Sequence, residues 1–250
     1  MQVYREIPRI TNQARSRPAE LAGVASVDEE WTVARHKMMA EATIGALPDN
    51  LPFVFDAGTG MYLNALVLYV PLAPKVPREV RVEAEKLAAT ARNPRREARR
   101  LELELSGASE RGSIWDGTPR YDLAFVYLRP PRLELDRNIL IRSSNIVRDG
   151  LEEASLLIES DVVPNPSVRG AIGVKEMLLY ASGDLSAEQA KEAIATRTRR
   201  LARRQIRWFD KLSRTLKSHR RANENLARVL VLDNPDQNRV MHLMRDIMEV

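Results

Sequence analysis

The chain has 250 residues, 44% of them hydrophobic, enough to bury a sizeable core as one elaborated domain or two small ones. It holds no apolar run long enough to span a bilayer, its start MQVYREIPRI lacks the apolar core of a signal peptide, and it has no cysteine, which excludes disulfides and Cys-ligated zinc or iron–sulfur centres and fits a cytosolic protein. The net charge of +5 is unevenly spread: Lys191–Arg221 carries twelve basic residues against Glu192 and Asp210, a clustering that points to a polyanion partner at the C-terminal end.

In chain order, MQVY (1–4) reads as a short strand, and residues 29–46 carry a helical period. LPFVFDA (51–57) is a second expected strand, running into GTG (58–60) and a helix over 60–68. A long helical stretch follows over 77–105, then a loop punctuated by Gly107, Gly112, Gly117 and Pro119, then a third strand in YDLAFVYL (121–128). Helical periods dominate the rest, over 132–158, 175–181 and 186–216, with Ser186 and Gln189 in capping-box spacing. VVPNPS (162–167) and LDNPDQN (232–238) are breakers, the latter before a short final helix. Strands alternating with helices imply an α/β fold with a parallel sheet flanked by helices and a helix-rich second half.

Gly58 and Gly60 flank Thr59 where PFVF ends, placing its hydroxyl at the carboxyl edge of the expected sheet, where open α/β sheets bind ligands. On local grounds alone, GTG is equally the chemistry of an ordinary strand–helix turn, with Thr59 as an N-cap. In and just before TRTRRLARRQIRWFDKL (196–212), Ile194, Thr198, Leu201, Gln205, Trp208 and Leu212 form a core-facing seam, and Arg200, Arg204, Arg207 and Lys211 form a basic stripe beside it. Gln205 is the odd member of that seam. A buried amide needs a partner, here expected to be backbone near the mouth of the site. Trp208 and Phe209 read as core, and His36, His219 and His242 form no metal or triad constellation.

The segments MQVYREIP, DEEWTVAR, AGTGMYLNALV, NPRREARRLELELSG, YDLAFVYL, GLEEA, AIGVKEML and TRRLARRQIRWF, in this order and over nearly the whole chain, resemble the tRNA dimethylallyltransferases, or tRNA isopentenyltransferases. The resemblance implies a single transferase-like domain over 1–250. A nucleotide- and diphosphate-binding α/β core would span 1–128, with a shortened helical insertion near 77–105. A helical core with basic tRNA-facing helices would span 129–221, and a tail 222–250. It implies a monomer, tRNA and dimethylallyl diphosphate as partners, no membrane, and magnesium as cofactor. The reaction implied is transfer of the dimethylallyl group to the N6 amine of the adenosine 3′ of the anticodon.

Through the same resemblance Thr59 is the catalytic, diphosphate-binding residue and Lys175 a second diphosphate contact, although a solvated lysine at a helix start would look the same. Gln2, Arg96, Arg99, Arg199, Arg200, Arg203, Arg204 and Gln205 take the tRNA-binding positions, Asn93 the acidic position before Arg96, and no residue is assigned to a metal. A spacing of three sets Arg96 and Arg99 on one helix face, as phosphate contacts or a merely solvated arginine helix would have it.

The chain departs from the family pattern. No G-x-x-x-x-G-K-[ST] occurs in it, Ala57 stands for the first glycine of GGTG, Asp56 stands at an apolar position, Val174 replaces a tyrosine, and a His-His pair after Val24 is missing. The expectation is therefore a parallel sheet of P-loop-transferase type lacking its first strand and P-loop, with the 250 residues inactive by themselves. The alternative is a decayed paralogue that binds tRNA or another RNA without catalysis.

Overall fold

The computed structural model describes residues 1–13, 18–48, 51–70, 72, 76–107, 113–222, 227–233 and 236–248. Gly112 and the Asn234–Pro235 breaker lie outside the described residues. In chain order the elements are α1 (Val33–Gly45), α2 (Gly60–Val67), α3 (Arg78–Ala88), α4 (Pro94–Leu105), β1 (Leu123–Arg129), α5 (Arg132–Asp149), α6 (Leu151–Glu159), α7 (Pro166–Arg169), α8 (Val174–Ala181), α9 (Ala187–Ala222), β2 (Ala227–Asp233) and α10 (Gln237–Met248). The fold is α/β, with a small parallel sheet and many helices, as expected.

Two long stretches divide. Asn93 accepts from the Arg96 N–H and Pro94 follows at the first helical position, so α3 and α4 form a hairpin rather than one helix. Gly150 separates α5 from α6 where Ile10 packs against it. The capping box forms as expected: Ser186 N–H donates to Gln189 Oε1 at 2.8 Å, and Gln189 N–H to Ser186 Oγ at 3.3 Å.

The sheet differs from expectation. It consists of β1 and β2, parallel, with Phe125 opposite Val229 and Tyr127 opposite Val231. β2 was expected to be tail, and of the three expected strands only 121–128 joins a ladder. Residues 1–4 contribute one isolated bridge, Tyr4 to Ala25. The segment 51–57 has no ladder among the described residues. It lies beside the start of β1 through side chains, with Phe53 and Phe55 ring centroids 5.7 and 6.2 Å from Tyr121. A strand exists only where a neighbour supplies the second half of its hydrogen bonds, and apolar alternation alone does not supply one.

Two cores result. The first gathers Val3, Tyr4, Ile7 and Ile10 with α6, α7 and α8, and reaches Ile194 of α9. The second packs α2 and β1 against Phe209, Leu212 and Leu216 of α9. The long helix α9 thus has a side in each. No helix among the described residues is long and apolar enough to cross a membrane.

Candidate functional site

The GTG turn is built by contact with α9. The Gln205 side-chain Nε2 donates to the Gly58 carbonyl at 2.6 Å, the backbone partner expected for that amide. A Cβ on Gly60 would lie 2.1 Å from Trp208 Cδ1, so only glycine lets the start of α2 approach the indole this closely. Neither glycine has positive φ, so close approach rather than turn geometry requires them. Trp208 Nε1 then donates to Asn64 Oδ1 at 3.1 Å, and Asn64 Nδ2 donates to the Ile114 carbonyl at 3.2 Å. Fully buried Asn64 is a residue sequence reasoning missed, although an amide inside the apolar run GMYLNALV was the available signal.

Thr59 occupies the N-cap position of α2 with extended backbone, φ −108° and ψ 101°, and its hydroxyl caps no backbone N–H. The residue is exposed, so a donor and acceptor hydroxyl stands free beside a turn locked to α9. Trp208 is half-buried and Phe209 buried, the core placement expected of both.

Lys175 is exposed in the first turn of α8. Its neighbour Glu176 is buried, accepts from the Gly173 N–H at 2.8 Å, and pairs with Arg197, which also donates to the Gly170 carbonyl at 2.6 Å. Arg197 therefore sets the start of α8 against α9, a positioning role the basic composition of the segment concealed. Gln2 donates to the Asn12 and Thr11 carbonyls at 2.8 and 3.3 Å, shaping the loop whose Ile10 packs against Gly173. So Gln2 and Lys175 both border the first core, while Thr59 and Gln205 meet at the junction of α2 and α9.

The basic positions separate into two regions. On α9, Arg200, Arg203, Arg204 and Arg207 are exposed and make no ion pair among the described residues, while Arg199 lies 3.6 Å from Asp136 and 3.4 Å from Glu192. Lys211 sits over the Trp115 ring, 4.4 Å from its centroid, on the border of the stripe. On α4, Arg96 is exposed, but Arg99 pairs with Glu102, whose side chain is only 8% exposed and also lies 3.7 Å from Arg81. The α3–α4 hairpin is tied to the segment before α1 by Arg81 and Glu30 at 3.1 Å. The structure thus sets Gln205 against the Thr59 turn with Arg200 and Arg204 on the adjoining face of α9, turns Arg203 to the far side of that face, and leaves Arg96 and Arg99 on a separate hairpin.

The model of the IPP transferase family matches residues 2–101 and 88–212. The chain belongs to the IPP transferase family. It is 56% identical to a protein named tRNA dimethylallyltransferase from Rubrobacter xylanophilus, over 99% of this chain and 84% of that relative. A protein of the same name from Deinococcus radiodurans is 31% identical, over 77% of this chain and 71% of that relative. Among solved structures, the tRNA isopentenylpyrophosphate transferase of Bacillus halodurans shares the fold with a TM-score of 0.67 at 23% identity, covering 99% of this chain and 84% of that one. The family assignment agrees with the sequence resemblance. The expected lack of an N-terminal segment is not borne out by these matches.

Proposed function

We propose that the protein is a tRNA-modifying transferase that moves a dimethylallyl group from dimethylallyl diphosphate to the N6 amine of the adenosine 3′ of the anticodon. The observation that carries this reading is the Gln205–Gly58 hydrogen bond of 2.6 Å, which fixes the turn bearing Thr59 to the helix bearing the free arginines. A diphosphate at Thr59 and a nucleic-acid backbone along α9 would then meet across one rigid junction. In the reaction the carbon–oxygen bond to the diphosphate breaks, the diphosphate leaves with the electron pair, a bond from N6 to the same carbon forms, and one amine proton is lost.

The Thr59 hydroxyl donates to the departing diphosphate, while Lys175, on α8 and apart from the Thr59 turn, keeps only the diphosphate contact that the family resemblance implies. Magnesium at such a centre is held mainly by the substrate phosphates and water with one or two protein ligands, so it would arrive with the diphosphate, and no step is routed through it here. A second reading is RNA binding without transfer, since the exposed Arg200, Arg203, Arg204 and Arg207, with no ion pair among the described residues, would hold a polyanion whether or not Thr59 takes part in chemistry.

The test is mass spectrometry of nucleosides from tRNA incubated with the protein and dimethylallyl diphosphate. Adenosine carrying one dimethylallyl group is expected, and its formation should slow by about 100-fold in Thr59→Ala, the usual cost of one preorganised donor to a leaving group. Saturable tRNA binding with no modified adenosine would establish the second reading. Unchanged transfer by Thr59→Ala would remove Thr59 from the centre.

A further inference from the structure

A cavity of about 700 Å³ opens at the carboxyl ends of β1 and β2, between the start of α5 and the Arg199–Ile206 part of α9. Its rim carries Arg129, Arg132, Arg199 and Arg203, facing two carboxylates, Asp136 and Asp233. Arg129 is held by Asp233 at 2.6 Å and lies 3.6 Å from Asp210, Arg199 lies 3.6 Å from Asp136, and Arg132 only 4.0 Å from it with its side chain 92% exposed. Arg203 has no ion-pair partner among the described residues, so the rim keeps net positive charge. Leu135, Ile139 and Ile206 give the cavity an apolar floor. The N-cap of α5 is Pro131, which offers no side-chain cap to the first-turn N–H groups of an 18-residue helix.

Volume, position and chemistry converge on one kind of occupant. The carboxyl ends of parallel strands are where open α/β sheets place ligands, and uncapped helix N–H groups with arginines suit a phosphate. An apolar floor under guanidinium groups suits the face of a base. The wheel of α9 says where that occupant comes from. At about 100° per residue, Arg200, Arg204 and Arg207 form one stripe, Gln205 and Trp208 lie on one side of it, and Arg199, Ala202, Arg203 and Ile206 lie on the other. The basic stripe therefore runs between the Thr59 turn and the cavity.

We propose that the cavity seats a second nucleotide of the same bound RNA, its phosphate at the α5 start and its base on the apolar floor, while the stripe carries the strand between the two places. This rests on the reading of α9 as an RNA face, but not on transfer at Thr59. The test uses the full chain with a tRNA transcript bearing photoreactive 4-thiouridine, followed by peptide mass spectrometry, and fluorescence-anisotropy titrations of the same tRNA across salt for the wild type and Arg132→Glu.

Crosslinks to the peptide spanning residues 129–139 are expected, with tRNA affinity about tenfold weaker and a salt slope lower by about one in Arg132→Glu. Arg132 is so exposed that the reversal leaves the fold intact. Crosslinks confined to α2 and α9, with Arg132→Glu binding tRNA as well as the wild type, would overturn the proposal. So would saturable binding of free adenosine or cytidine 5′-monophosphate, abolished by Arg132→Glu, alongside unchanged tRNA affinity, which would assign the cavity to a free nucleotide. Because these readouts are binding and crosslinking, a failure of transfer leaves them legible, and their failure leaves transfer testable.

Discussion

Helices α4 and α9 carry the same residue in much the same spacing and present opposite electrostatics. In α4, Arg100 pairs with Glu97 at 2.7 Å and Glu104 at 2.6 Å, and Arg99 pairs with Glu102. The Arg100 hydrogen bond holds the Glu97 carboxyl below the usual carboxylate range, so the pairing persists at any ordinary pH. In α9 no acid stands between Glu192 and Asp210, and Asp210 faces Arg129 at 3.6 Å, away from the stripe. An arginine helix is thus an RNA face only to the extent that its own glutamates leave it unneutralised. Exposed ion pairs contribute only about 0–1 kcal/mol, so the pairing in α4 lowers phosphate affinity without forbidding it.

The largest effect should come from reversing charge on α9. Arg200→Glu with Arg204→Glu is expected to weaken tRNA binding by about 100-fold at low salt and to flatten the salt dependence by a slope of about two. A gel-shift titration in which the double variant matches the wild type would reduce the stripe to a solvated face. A smaller and opposite effect is expected on α4: Glu97→Gln with Glu104→Gln releases Arg100 and should strengthen tRNA binding by roughly threefold. No gain, or a loss, would show that the α3–α4 hairpin stays clear of the RNA.

The smallest change in affinity is expected from Arg99→Ala, within about twofold of the wild type, because its guanidinium is already committed. That variant should instead lose stability, by about 1–2 kcal/mol in urea titrations, since Glu102 is left buried with only Arg81 at 3.7 Å. A tenfold drop in affinity with stability unchanged would restore Arg99 as a phosphate contact and dissolve the contrast between the helices.

What could be read from the sequence divides along the same line between local and distant causes. The Ser186 capping box and the need of Gln205 for a backbone partner follow from chemistry within a few residues, and both are present. The pairing in α4 was legible too, in the three- and four-residue spacings of REARRLELE, but reading that helix for positive charge alone hid it. β2 was not legible, because ARVLVLD becomes a strand only with β1 alongside, and 51–57 is apolar and alternating without becoming one. The glycines flanking Thr59 suggested a turn. Their reason is an indole and an amide from α9, with Gly58 and Gln205 lying 147 residues apart, and no local pattern carries that.

Helix α9 is 36 residues long, about 54 Å of rise, and is anchored at Ile194 in one core and at Leu212 and Leu216 in the other. An isolated helix with this many unneutralised arginines would fray through self-repulsion, and an RNA would have to order it on arrival. Here the two cores have already removed that freedom when the chain folds. The loss of backbone entropy belongs to folding and not to association, so the strength of the encounter depends on how many phosphates lie against the stripe and on little else.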